Sequence, residues 1–297
     1  MVRTVVAGLD GSPESSAAAE WAAREAELRG LPLKIVHVWV PAPDPLAQAP
    51  LMGVETQQQW SERIPREAGE GLRGRHPGLD VTVEQVTGTP SDALVDASKD
   101  AELLVLGSRG LSGVGGFLVG SVGLSVVARA ELPVVLVRAG EQVADEAATS
   151  PASAASHRPV VLGLDAGGPA DVVIEFAFAE AARRDTTLRV VYGWNLPPYY
   201  AYGFALDAGL HEELSLQETD SLTDALRPWR QKHPDIEVAL EPRVGSAADH
   251  LVDASREASL VVIGRRIRRG AFGAHIGPVA HGVLHHSTAP VAVVPHD

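Results

Sequence analysis

The sequence predicts an α/β protein of two doubly wound domains, each a five-stranded parallel sheet of strand order 3-2-1-4-5 with helices on both faces. Three observations predict it. Short apolar runs alternate with segments of helical period along the 297-residue chain. The runs are apolar throughout rather than at every second residue, as in strands covered on both faces. The second half of the chain also repeats the first.

The repeat is explicit. Val105-Leu106-Gly107 through Val137 lies on Val262-Ile263-Gly264 through Val294 without a gap, 157 positions on (107 and 264). Gly107, Arg109, Gly113, Gly120, Val122 and Pro133 meet Gly264, Arg266, Gly270, Gly277, Val279 and Pro290. His76-Pro77 meets His233-Pro234, and Leu94 to Ser98 meets Leu251 to Ser255. Near the start the spacing is 155 (10 and 165), pairing Gly8-Leu9-Asp10 with Gly163-Leu164-Asp165. The second copy therefore carries two extra residues between its second and third strands. The domains are expected at 1–138 and 158–297. Residues 139–157, rich in Ala, Ser, Glu and Asp and without apolar period, read as a flexible linker.

Each element of the first copy follows in order. Val2–Leu9 is a continuous apolar strand. Ser12-Pro13-Glu14 opens a helix, with serine as cap and proline in the first turn. Its expected apolar face runs through Ala18, Trp21, Ala22 and Leu28. Leu33–Val40 is the second strand, and a Pro-rich loop to Pro50 precedes a polar helix from Glu55 to Arg75. Asp80–Val86 is a third strand of alternating polarity, and Thr89-Pro90 starts a helix through Leu94 and Val95. Leu103–Gly107, Val122–Arg129 and Val134–Val137 supply the fourth strand, fourth helix and fifth strand. Right-handed crossovers between such strands give a Rossmann-like domain.

Composition narrows the function. The chain is 45% hydrophobic and 21% charged, within the globular range. It has no cysteine, which removes disulfides, thiolate zinc sites and cysteine catalysis. A formal charge of −13 opposes nucleic acid and anionic membrane as partners. Leu111 to Ala128 is uncharged but carries five glycines, a poor spanning helix. Val2–Leu9 reads as a strand with no cleavage site after it, so the expectation is a cytoplasmic protein.

The chemistry concentrates in Gly107-Ser108-Arg109-Gly110, nine further residues, then Gly120-Ser121. The segment follows a strong strand and leads into a helix. Gly107, Gly110 and Gly113 allow sharp turning and close approach to a ligand. Gly120, Ser121 and Val122 sit where free N–H groups and the helix dipole favour an anion. The Ser121 hydroxyl and Arg109 guanidinium add donors for phosphate oxygens, making a cradle for a polyphosphate. With strand order 3-2-1-4-5 the ligand crevice falls between strands one and four, which sets Gly8 and Asp10 opposite that loop. The Asp10 carboxylate is suited to a ribose or to a magnesium ion; its alternative role is to cap or hold the turn. Val38 and Trp39, ending strand two, are suited to wall an adenine, or they are ordinary strand packing.

This constellation resembles the universal stress protein family, in a tandem two-domain form. The family pattern Gly-x2-Gly-x9-Gly-Ser/Thr stands complete in the first copy, and the resemblance covers nearly the whole chain apart from the linker. It implies the adenine-nucleotide-binding fold shared with the alpha hydrolases of that superfamily and, in many members, bound ATP. It implies a stress-response or signalling role without a defined reaction, and pairing of domains through their fifth strands. Val134–Val137 and Val291–Val294 are short apolar edges that such pairing would bury, with a homodimer as a further step.

The second copy departs from the pattern. Ile267 replaces Gly110 and Pro278 replaces Ser121, removing a hydroxyl and an N–H. If the Gly110 position is left-handed, isoleucine there costs about 1–2 kcal/mol. Arg265, Arg266, Arg268 and Arg269 crowd this loop, as a solvated basic segment or as an anion attractor. Gly163, Asp165, Gly264, Arg266 and Gly277 are the residues of a degenerate second site, expected to bind ATP less well than the first. His281 and His285, one helical turn apart, invite a metal reading, but no third ligand accompanies them and no metal is expected. The loops Pro41–Val54 and Pro197–Leu210 are candidate lids, partner surfaces or plain surface loops.

Binding is favoured over catalysis. There is no Gly-x4-Gly-Lys-Ser/Thr loop, and none of the three lysines (Lys34, Lys99, Lys232) lies in a glycine loop. The alternatives are a slow ATPase, an ATP-dependent enzyme of the same superfamily, or a scaffold with structural nucleotide. Leu9-Asp10-Gly11-Ser12-Pro13 does not match the Ser-Gly-Gly-x-Asp-Ser loop of such enzymes.

Overall fold

The computed structural model describes residues 3–40, 54–108, 119–139, 158–165, 168, 171–195, 208–267 and 276–297. The chain divides into two compact units, Met1–Gly140 and Glu141–Asp297. Of the expected linker, only residue 139 is described.

In the first unit, β1 (Val5–Leu9), β2 (Leu33–Trp39), β3 (Val81–Thr87), β4 (Leu103–Ser108) and β5 (Val134–Arg138) alternate with helices. These are α1 (Pro13–Arg29), α2 (Val54–Arg75), α3 (Pro90–Ala97) and α4 (Ser121–Arg129). All neighbouring strands are parallel, in the order β3-β2-β1-β4-β5. The second unit holds β6 (Val160–Gly163), α5 (Asp171–Arg183), β7 (Leu188–Trp194), α6 (Ala208–Lys232) and β8 (Val238–Val244). It continues with α7 (Ala247–Ala254), β9 (Leu260–Arg266), α8 (Pro278–His286) and β10 (Val291–His296). Its parallel order, β8-β7-β6-β9-β10, is the same topology.

Helix α1 begins as its sequence dictates. The Ser15 N–H donates to Ser12 Oγ at 3.1 Å, and Pro13 occupies the first turn. It ends at Gly30, left-handed at φ 62°, which returns its N–H to Ala26 and Glu27. At the matching place in the second unit the left-handed residue is Asp185, φ 47°. The buried face of α1 is a row of alanines, Ala18, Ala19, Ala22, Ala23 and Ala26. Trp21 is only half-buried and Leu28 is 50% exposed, so the expected apolar face was misplaced at both. Small side chains win because the helix lies close to the sheet. A Cβ on Gly107 would fall 2.6 Å from the Glu14 carbonyl carbon and 2.7 Å from the Ser15 nitrogen. Gly107 therefore admits the first turn of α1 onto β4, a reason different from approach to a ligand.

The opposite face is set by another glycine. A Cβ on Gly8 would meet Leu106 at 2.5 Å and Leu94 of α3 at 3.1 Å. Gly163 repeats this against Leu251 of α7 at 2.8 Å and Ile263 at 3.2 Å. Smaller departures concern element ends. β1 starts at Val5, β2 stops at Trp39 with Val40 58% exposed, and α4 starts at Ser121 rather than Val122.

Charged pairs tie the helices down. Glu25, 1% exposed, holds Arg29 at 2.7 Å, and Arg29 also bonds Glu102. In the second unit fully buried Glu180 takes Arg183 at 2.7 Å and also Arg184. The end of α2 is clamped to α1: Arg75 Nε and His76 Nε2 each lie 2.9 Å from Glu20, and His76 Nδ1 lies 3.0 Å from Glu27. Lys232 and Glu175, 2.6 Å apart, take the places of Arg75 and Glu20 in the second unit. No described helix is long and apolar enough to cross a membrane.

Two outcomes are expected. Gly107→Ala forces α1 off β4 and lowers stability by about 1–3 kcal/mol, read as a lower urea midpoint at unchanged slope. An unchanged midpoint would contradict the contact. Burial pushes the Glu20 carboxyl up, but hydrogen bonds from His76 and Arg75 and their charges outweigh it, leaving it below its ordinary 4.5. A carboxyl depressed in the fold stabilises above its ordinary value and loses that contribution as pH falls through the folded value. Between about pH 5 and about pH 3 the urea midpoint should fall, and less steeply in Glu20→Gln.

Candidate nucleotide site

The sheet order sends the chain off β1 and β4 in opposite directions, opening a crevice at their C-terminal ends. In the first unit the turn after β1 is held by side chains. The Ser12 N–H donates to Asp10 Oδ1 at 2.9 Å, and the Asp10 N–H donates to Ser15 Oγ at 3.3 Å. Asp10 is exposed and fixed in orientation by these bonds. The turn-holding role weighed for it is thus present, in one oxygen. Gly11 is left-handed at φ 84°, with Ile64 of α2 against it.

Across the crevice, β4 ends at Ser108, whose side chain is buried and whose Oγ has no hydrogen-bond partner among the described residues. Gly120 caps α4 with φ −64° and ψ 152°, ordinary extended backbone that does not itself demand glycine. The first intrahelical bond runs from the Leu124 N–H to the Gly120 carbonyl at 3.1 Å. The Ser121, Val122 and Gly123 amides therefore lie ahead of the helical ladder, where a bound anion is favoured. Ser121 and Val122 are exposed. Arg109, Gly110 and Gly113 lie outside the described residues, as do 41–53 and 197–207 of the candidate lids. Val38 and Trp39 are half-buried at the end of β2. The Trp39 carbonyl accepts the Gly88 N–H at 3.4 Å. Neighbouring His37 is buried with Nδ1 2.8 Å from the Leu9 carbonyl.

The second unit carries a cavity of about 600 Å³ at the equivalent place. All five residues expected there, Gly163, Asp165, Gly264, Arg266 and Gly277, line it. Pro278 opens α8, as Ser121 opens α4. Ile267 is not left-handed, since Asp185 is the only non-glycine residue with positive φ among those described. The conditional strain at that position is therefore not incurred. Instead its N–H donates to the His296 carbonyl at 2.6 Å, extending the β9–β10 ladder by one residue.

Of two further lining residues, the sequence singled out Arg265 only within a run of arginines and Tyr192 not at all. Arg265 is buried, 5% exposed, so it is not part of a solvated basic loop. It stands where the first copy has Ser108. Tyr192 stands where the first copy has His37 and also lines the cavity. Burial, and then the Glu218 and Asp165 carboxylates, push its phenol up, so it remains a donor at neutral pH. Laying the copies over each other position by position was the signal that would have exposed both. On α8 the His281 and His285 rings lie 4.3 Å apart, with His285 buried. No group of three or more metal-ligating side chains occurs among the described residues.

Comparison with known proteins adds an independent line. The model of the family described as "Universal stress protein family" matches the chain twice, over residues 1–138 and 156–295. The chain is 33% identical over 304 residues to universal stress protein Rv2005c of Mycobacterium tuberculosis, covering 97% of this chain and 96% of that one. A solved universal stress protein of Archaeoglobus fulgidus superposes with a TM-score of 0.69 at 17% identity, covering 99% of this chain and 98% of that chain, a likeness of fold. A universal stress protein solved in complex with cAMP matches 47% of this chain and 99% of its own, at 32% identity and a TM-score of 0.37.

Proposed function

The chain belongs to the universal stress protein family, and from that premise we propose that it is an ATP-binding stress-response and signalling module. The first unit holds the nucleotide. Asp10 takes the ribose or a magnesium ion, and Val38 walls the adenine beside Gly8. Gly107 places the end of β4 against α1 at the crevice, Arg109 is a donor for the phosphates in the loop that carries Gly110 and Gly113, and the amides of Ser121 and Val122 after Gly120 receive the phosphate tail. Occupancy then alters the segments around the crevice or the association of chains, which partners sense.

The observation that carries this reading is the opening of the helical ladder at α4. Three amides ahead of the first intrahelical bond stand at the same sheet end as the fixed Asp10 carboxylate. Support also comes from the second unit, where the equivalent positions line a cavity of about 600 Å³, within the range of small-ligand sites.

Storage and sensing fit better than phosphoryl transfer. Lys34 donates to the Ala97 carbonyl at 2.8 Å and pairs with Glu84 at 3.2 Å. Lys99 pairs with Asp96 at 2.7 Å, and Lys232 with Glu175 at 2.6 Å. All three lysines of the chain are thus engaged away from the crevice, and none is left to clamp a transferred phosphate.

The test begins with protein purified without added nucleotide, denatured, and its released small molecules identified. Adenine nucleotide is expected. Calorimetric titration with ATP and Mg²⁺ should then show binding that Ser121→Pro weakens about tenfold or more, since that change removes an amide and a hydroxyl donor. Unchanged affinity would contradict the assigned site. Turnover of ATP within minutes, rather than little change over hours, would contradict the binding module and favour an enzyme.

A further inference from the structure

We propose that the second unit binds an apolar α-amino acid at the end of its sheet opposite the crevice. The site is a cavity of about 490 Å³ between the ends of α5 and α6 and the starts of β7 and β8. The ligand carboxylate lies on His233, and the ammonium lies among Asp185, Asp235 and Glu237.

The first unit supplies the pattern for the carboxylate. There His76 lies between two carboxylates of α1, its Nε2 2.9 Å from Glu20 and its Nδ1 3.0 Å from Glu27. The repeat that pairs Glu25 with Glu180 keeps the first carboxylate as Glu175 and replaces the second with Ala182. Ala182 and His233, at the His76 position, both line the cavity. The imidazole is thus retained and a carboxylate beside it is gone. Phe178, which replaces Ala23, stacks on His233 with ring centres 5.4 Å apart and holds it in place. His233 Nε2 is buried, and neither ring nitrogen has a hydrogen bond or ion pair among the described residues. An imidazole carries at least one N–H whether neutral or charged, and leaving it unmet at a sheltered place is costly. A ligand carboxylate in the place of the Glu27 group meets it.

Charge requires that the same ligand carry a cation. Asp185 and Asp235 stand where the first copy has Gly30 and Gly78, and Glu237 stands where it has Asp80. All three line the cavity, and none is paired with a cation among the described residues. Lys232, the lysine of the lining, is held by Glu175 at 2.6 Å. Asp185 occupies a left-handed position, φ 47°, that suits the glycine it replaces better than aspartate. Such a rim repels a lone carboxylate and attracts an ammonium. Pro234 and Ile236 add an apolar wall. Imidazole donor, acidic rim and apolar wall together match an α-amino acid with an apolar side chain, and the volume is in the range of small-ligand sites.

The experiment is calorimetric titration of the full chain with L-leucine, with and without saturating ATP. The controls are 3-methylbutylamine and 4-methylpentanoate, which each lack one of the two charged groups. The expected result is one equivalent of L-leucine, indifferent to ATP, with each control weaker by about tenfold or more. Ala182→Glu restores the first unit's carboxylate beside His233 at an exposed helical position. It should weaken L-leucine by about tenfold or more and leave ATP binding unchanged. Asp235→Asn, also at an exposed position, should weaken L-leucine several-fold and not weaken 4-methylpentanoate. No binding of L-leucine would overturn the inference, as would either control binding as tightly. Affinity indifferent to Ala182→Glu, or L-leucine that competes with ATP, would also overturn it. Each of these results leaves the ATP-binding reading of the first unit standing.

Discussion

Strand β1 is flanked by β2 on one side and β4 on the other, and a parallel sheet allows this only if the chain crosses over its opposite faces. The rest of the molecule depends on that constraint. Helices α1 and α3 must cover opposite faces, and in open sheets of this kind ligands bind in the gap where the connections part. Close cover requires strand positions without side chains. Gly107 admits the backbone of α1 on one face, and Gly8 admits Leu94 of α3 on the other. Each glycine is thus explained first by packing. The packing leaves a crevice at the strand ends, where the proposed function is placed.

The two units show which parts of this arrangement are fixed and which are free. The Gly8, Leu94 and Leu106 contact returns as Gly163, Leu251 and Ile263. The buried Glu25–Arg29 pair returns as Glu180–Arg184. These interactions hold the helices to the sheet, and removing one partner of a buried pair costs about 3–5 kcal/mol, so they persist. The strand and helix ends at the crevice differ between the copies instead. There Ser121 becomes Pro278, Ser108 becomes Arg265 and His37 becomes Tyr192, each altering what the site offers a ligand while leaving the sheet order intact.

Most of the architecture was legible in the sequence because it rests on signals that act locally. Apolar runs, the Ser12-Pro13 cap and the repeat of Gly107 at Gly264 specify elements without knowledge of their neighbours. The expected face of α1 failed at Leu28 because helical period alone does not report how near the sheet lies; a close helix is lined with alanine, and larger residues are turned out. The burial of Arg265 was hidden for a related reason. A run of arginines reads as solvated, yet strand alternation turns one of them inward. The clamp of Glu20 by Arg75 and His76 joins residues 55 and 56 positions apart, and no local pattern announces it. The His76-Pro77 repeat was visible, but its physical reason was not.

The central claim is that the first-unit crevice between β1 and β4 receives a triphosphate. The most direct measurement is a crystal structure of the full chain grown with ATP and Mg²⁺. The account predicts density for the phosphate tail against the Ser121, Val122 and Gly123 amides, with the ribose or the ion beside Asp10. Density for ATP elsewhere on the first unit, or a crevice occupied by the protein's own side chains at saturating ATP, would contradict it.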